Sequence, residues 1–215
     1  MIHGYISLAE KITVEIEERK SRFIAIASPA RSAREAEALI AQAREDYPDA
    51  THHCYAYRTG LSGTVVRSND DGEPQGTAGR PILDVIERNG LQNTCIVVVR
   101  YFGGIKLGAG GLVRAYRAAA AAAVEQAGVV QYVLHTLFRG RAPYDAWSRV
   151  AALMEQLGAQ AIEAEYGACV EFRGAVQQDE FDKLRHALSE QSAGEVQIEA
   201  IGSDFYPASD RRKPG

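Results

Sequence analysis

Residues 97–116 read VVVRYFGGIKLGAGGLVRAY and hold the densest chemistry in the chain. Gly103, Gly104, Gly108, Gly110 and Gly111 crowd together, Lys106 sits among them, and Arg100, Arg114 and Arg117 flank them. A buried strand that runs into glycines and then a helix is the geometry of an anion site. Backbone N–H groups in the turn can point at a ligand, and the helix N-terminus adds about half a positive charge. The named phosphate signatures are absent. A Walker A loop needs Lys-Ser/Thr after its last glycine, whereas Ala109 follows Gly108, and GxGxxG fails at Val113. The plainer reading is that the glycines only permit tight turns and close strand–helix approach. With Lys106 among them, the backbone of Gly103, Gly104, Gly108 and Gly110 forms a candidate anion or nucleic-acid surface. The side chains of Arg80, Arg100, Lys106, Arg114 and Arg117 complete it.

A second stretch, NDDGEPQGTAGRP at 69–81, places Asp70, Asp71 and Glu73 close together. Such hard oxygen ligands could hold a divalent cation. The spacing fits no EF-hand, and Asp71-Gly72 and Glu73-Pro74 are ordinary turn chemistry. Gly76 belongs to the same turn, and Thr77 is placed to cap the helix that follows. HHC at 52–54 puts His52 and Cys54 on one side of a strand and His53 on the other. Two side chains cannot enclose zinc, so we expect strand packing there. No GxSxG, HExxH or SxxK occurs, and no metal, cofactor or catalytic residue is expected.

The elements that position these loops read in two groups. KITVEIEE and RFIAIAS alternate as paired strands. Ser32 with Glu35 is a capping-box signature, and apolar residues recur at helical spacing up to Tyr47, where Pro48 stops them. HHCYAYRTG and TVVRS form a hairpin, a short helix spans about Pro81 to Asn89, and TCIVVVRYF is the most apolar run, a buried strand. A helix from about Gly111 to Ala127 follows, and its alanine run at 118–123 lets it lie close to a sheet. The first domain therefore reads β-β-α-β-β-α-β-α over 1–128. After it come YVLHTLF, a helix opened by Pro143 and ended near Gly158, two strands turning at Gly167, a helix through Phe181, Leu184 and Leu188, and EVQIEAIG. That is β-α-β-β-α-β over 131–206, a ferredoxin-like split arrangement. Residues 207–215 read as a disordered tail. The fold class is α+β.

The 215 residues suffice for two domains with real cores. No apolar run is long enough for a membrane span, and the N-terminus lacks a signal h-region, so a cytoplasmic protein without membrane partners is expected. Cys54, Cys95 and Cys169 are scattered, as reduced thiols would be. Net charge is −4. Between Arg80 and Arg117, however, six basic residues face only Asp84 and Glu87, which gives one basic sector.

DGEPQGTAGRPIL at 71–83, VVVRYFGGIKLGAGGLVRAY at 97–116 and HHCYAYRTG upstream together resemble the signature of the YigZ/IMPACT family. The resemblance covers most of the first domain, and it marks Asp71, Gly72, Glu73, Pro74, Gly76 and Thr77 as a signature loop. It implies a ribosomal protein S5 domain 2-like first domain, the fold also of one elongation factor G domain, and a ferredoxin-like second domain similar to another. It implies no reaction and no catalytic residues, and the kinase-restraining role of eukaryotic IMPACT is not carried over.

Three functions follow from these readings. The first is a non-enzymatic, translation-associated regulator that binds RNA or the ribosome through the basic glycine-rich loop, with Tyr101 or Phe102 stacking on bases if exposed. No DNA specificity is evident. The second is a phosphate- or nucleotide-binding enzyme or switch, by analogy with small-molecule kinases of similar fold, in which residues 70, 71 and 73 hold magnesium. The third is an interaction scaffold with a protein partner in translation control.

Overall fold

The computed structural model describes residues 4–60 and 64–208. The chain divides into two compact units, Met1–Gln131 and Tyr132–Gly215. Both are mixtures of helix and antiparallel sheet.

The first unit opens with a short strand, β1 (Gly4–Leu8), which the sequence reading lacks. Ile6 makes an isolated bridge to Leu91, and Ser7 Oγ donates to the carbonyl of Asn93, so β1 is held by partners far along the chain. Strands β2 (Ile12–Glu18) and β3 (Ser21–Pro29) are the expected hairpin. Helix α1 (Ala33–Asp46) starts at Ser32, whose Oγ accepts from the Glu35 backbone N–H, while Glu35 Oε2 accepts from the Arg31 N–H. β4 (His52–Thr59) and β5 (Val65–Asn69) pair next, then α2 (Gly79–Arg88), β6 (Thr94–Tyr101) and α3 (Gly108–Ala127) follow. The sheet order is β2-β3-β6-β4-β5.

The run Cys95–Val99 of β6 is apolar throughout because both faces of its sheet are covered. Ile96 and Val98 pack in a core with α2 and α3, whereas Cys95, Val97 and Val99 pack with α1. The alanine run does what small side chains permit: Ala119, Ala120 and Ala123 of α3 are fully buried in the first of these cores.

α3 begins at Gly108, earlier than the expected Gly111. Leu107 and Leu112 both anchor in the core, and the low-propensity glycines between them are carried into the helix.

In the second unit, β7 (Val129–Ala142), α4 (Tyr144–Gln156), β8 (Gln160–Tyr166), β9 (Val170–Gln177), α5 (Phe181–Gln191) and β10 (Gln197–Pro207) follow in turn. Here the strands run in the order β10-β7-β9-β8, each antiparallel to its neighbour. Phe138, Phe172, Val176 and Ile198 of the sheet meet Val150 and Met154 of α4 and Leu184 and Leu188 of α5 in one core. Pro207, expected at the start of the tail, closes β10 opposite Tyr132. Residues 209–215 of that tail lie outside the described residues.

Candidate nucleic-acid interface

Alternation along β6 decides the fate of Arg100. It follows Ile96 and Val98 onto the face covered by α2 and α3, where the sequence reading had expected a surface phosphate contact. Its side chain is 6% exposed and Glu73 is 3% exposed, and Arg100 Nη1 donates to Glu73 Oε1 at 2.6 Å. This buried pair is the physical reason Arg100 does not reach solvent. The Tyr116 hydroxyl donates to the same Glu73 oxygen at 2.7 Å. Burial, with Cys54 and Glu73 adding to it, pushes the Tyr116 phenol far above its ordinary range, which keeps it a donor. The Cys54 thiol lies 3.0 Å from the Asp70 carbonyl and 3.3 Å from the Tyr116 oxygen, and burial raises its pKa too. The signature loop is thereby joined to the strand before the glycine-rich stretch and to the helix after it by one buried cluster of a carboxylate, a guanidinium and a phenol.

The acids of the DGEP loop are all in use. Asp70 Oδ1 accepts from the N–H groups of Ala78 and Gly79, at 3.0 and 2.8 Å, and its Oδ2 accepts from Gly76. It therefore serves the start of α2 in the role expected of Thr77. Thr77 instead donates its hydroxyl to the Pro74 carbonyl. Burial alone would raise the Asp70 pKa, but the three N–H groups outweigh it and hold the carboxyl below its usual value. Asp71 accepts from the His53 N–H and from Arg44, and Gly72 lies beside the His52 ring with a positive φ. The His52 Nδ1 meets the Asp71 carbonyl at 2.7 Å. Among the described residues, no group of three or more His, Cys, Asp and Glu could hold a metal ion.

Arg80 and Arg117 already hold carboxylate partners within the first unit, although Arg80 stays exposed and Arg117 partly so. Arg80 pairs with Asp84 and Glu87 along α2, and Arg117 reaches the same Asp84 from α3. Of the five cations expected at the surface, Arg80, Lys106 and Arg114 remain exposed, and among the described residues Lys106 and Arg114 form no ion pair.

Two cations that the sequence reading missed join them. Arg19 and Lys20 form the turn of the β2–β3 hairpin, both at positive φ and both exposed. That turn sits against the glycine loop. A Cβ at Gly103 would run into the Lys20 backbone carbonyl, so only glycine fits there. Ser21 Oγ accepts from the Gly103 N–H at 3.2 Å and lies 3.4 Å from Arg100 Nη2, which ties hairpin, loop and buried cluster together. Gly104 and Gly108 adopt positive φ and turn the chain into α3, whereas a Cβ at Gly110 would touch only the Arg114 side chain. A cleft of about 220 Å³, lined by Glu18, Arg19, Leu107, Gly111 and Arg114, opens between β2 and α3. Among the described residues, no side chain caps the N-terminus of α3. The sequence signal for Arg19 and Lys20 was faint, because their turn lacks the Gly or Asn that usually announces one.

No helix of the described residues is long and apolar enough to cross a membrane. Residues 19–124 match the Impact N-terminal domain, and residues 141–195 match a domain of unknown function, DUF1949. The chain is 36% identical over 198 residues to the IMPACT family member YvyE of Bacillus subtilis, covering 92% of this chain and 91% of that protein. It is 34% identical to the IMPACT family member YigZ of Escherichia coli, covering 93% and 99%. A crystal structure described as that of a hypothetical protein superposes with a TM-score of 0.62 at 33% identity, covering 94% of this chain and 98% of that one. Blocks that span both units, matched at this identity, place the chain in the IMPACT family.

Proposed function

We propose that this protein is a non-enzymatic, cytoplasmic regulator associated with translation, and that it binds RNA, the ribosome's RNA foremost, through the glycine-rich loop of its first unit. One observation carries the reading. Arg19, Lys20, Lys106 and Arg114, from two distant parts of the chain, stand exposed around the start of α3, and none of them forms an ion pair among the described residues. Exposed cations beside a helix N-terminus that carries no side-chain cap suit phosphates. The architecture fits the same picture. The strand order of the second unit supports a ferredoxin-like fold, and the first unit, with β6 between helical layers, supports the S5 domain 2-like fold that translation proteins use.

A magnesium-dependent phosphoryl-transfer site receives less support. Asp70, Asp71 and Glu73 are each committed to backbone or buried partners, so none is free to hold a cation.

The test is co-sedimentation with ribosomes at low and high salt, with wild type beside Lys106→Ala/Arg114→Ala. Salt-sensitive pelleting that the double variant loses supports the proposal. A supernatant protein at low salt refutes it, and pelleting that resists salt points instead to a protein contact. The affinity for single-stranded RNA should fall with salt at a log–log slope of about −0.7 per phosphate contact, so the double variant should flatten the slope by about 1.4.

A further inference from the structure

We infer that Phe102 is a stacking platform for an unpaired base, so that the site takes single-stranded or looped RNA rather than a continuous duplex. The inference rests on the RNA-binding reading above and narrows its ligand. Phe102 follows the end of β6 and is 47% exposed, although a phenylalanine gains about 1.5–3 kcal/mol when buried. Its backbone is tethered to the neighbouring segment, since its N–H donates to Thr51 Oγ1 at 3.1 Å.

Beneath the ring lies a layered support. The guanidinium carbon of Arg100 is 5.5 Å from the Phe102 ring centroid and 5.4 Å from that of Phe23. Phe23 in turn meets Tyr116 edge-on, at 5.2 Å and 88°. Glu73 holds the guanidinium in place at 2.6 Å. The buried Arg100 therefore acts as the middle layer of a stack whose outermost ring stays partly open to solvent. A base laid on the exposed ring would extend the same stack.

The surroundings suit a base as well. Ile105, 42% exposed, and Lys106 follow within the loop, and Arg114 stands on the first turns of α3. Aromatic and cationic side chains interleaved in this way are what single-stranded nucleic acid requires: a ring for the base and charges for the flanking phosphates. A continuous duplex offers such a ring no base face, because its bases are stacked on one another.

The experiment measures fluorescence anisotropy with a labelled single-stranded RNA of about 12 nucleotides and with the blunt duplex of the same sequence. Wild type, Phe102→Leu, Phe102→Trp and Lys106→Ala/Arg114→Ala are compared, with melting curves as the check on folding. Phe102→Leu should weaken single-strand binding by about 5- to 100-fold and leave the salt slope and the duplex affinity unchanged. Phe102→Trp should keep the affinity, and its fluorescence should be quenched when the single strand is added. The inference is overturned if Phe102→Leu binds the single strand as wild type does, or if single-strand and duplex affinity fall together. The two proposals fail separately. Salt-dependent binding that only the double variant loses leaves the RNA reading standing and removes the platform. Absence of binding by wild type at low salt removes both.

Discussion

Replacing Glu73 by alanine should destabilise the first unit more than any surface change. Arg100 would keep its charge in a place where its side chain is 6% exposed, with the Ser21 hydroxyl, at 3.4 Å, as its remaining side-chain hydrogen-bond partner among the described residues. Removing one partner of a buried ion pair costs about 3–5 kcal/mol. The Tyr116 hydroxyl loses its acceptor as well, which adds about 1 kcal/mol. For a unit of this size each kcal/mol moves the melting temperature by about 3 °C, so a fall of about 12–18 °C is expected. Thermal and urea denaturation of wild type, Glu73→Ala and Glu73→Leu/Arg100→Met would test this. The double variant, which removes both charges, should recover most of the loss. Glu15→Ala, at the exposed pair with Arg22, serves as the control and should leave the melt unchanged. A Glu73→Ala protein that melts with wild type, or a double variant worse than the single, would refute the claim that desolvation of Arg100 sets the cost.

Other expected outcomes follow from the same geometry. Gly103→Ala should lower stability and disturb the amide signals of residues 19–21, because the methyl group meets the Lys20 backbone; a superimposable amide spectrum would contradict the packing. Asp70 has a lowered folded-state pKa, so its contribution is present above the unfolded value of about 3.9 and is lost as pH falls through the folded value. Asp70→Asn should therefore flatten the acid limb of the stability–pH curve, and an unchanged limb would count against the three-bond cap. Towards a thiol reagent, the half-buried Cys169 should react first, while Cys95, buried with its pKa pushed up to about 12, should react only on unfolding. Rapid modification of Cys95 in the folded protein would show that β6 opens.

The sequence was most legible where period and punctuation agree. Ser32 with Glu35 marked the start of α1, Gly167 marked the turn between β8 and β9, and the order of elements in the second unit could be read from its apolar spacing. It was least legible where a side chain's fate depends on a distant partner. Arg100 looked like a phosphate contact because a sequence shows charge but not the Glu73 that waits 27 residues away on the buried face. Asp70 reads as a turn residue, with a metal ligand as the lesser alternative, and its specific role at the start of α2 stayed hidden because its three N–H partners are up to nine residues further on and are backbone atoms, which leave no side-chain signature. β1 escaped notice because its five residues carry too little pattern, and its partners Leu91 and Asn93 lie in another part of the chain.

The contact between the β2–β3 turn and Gly103 has a kinetic consequence. The Ser21 hydroxyl that receives the Gly103 N–H lies 82 residues earlier in the chain. Local helices and hairpins close quickly, whereas contacts of such long span wait until the intervening chain has collapsed and β3 has found its register with β6. The glycine loop is therefore among the last parts of the first unit to take shape. A partly folded chain would carry the same cations but could not gather Arg19, Lys20, Lys106 and Arg114 on one surface, so binding there would report that folding is complete.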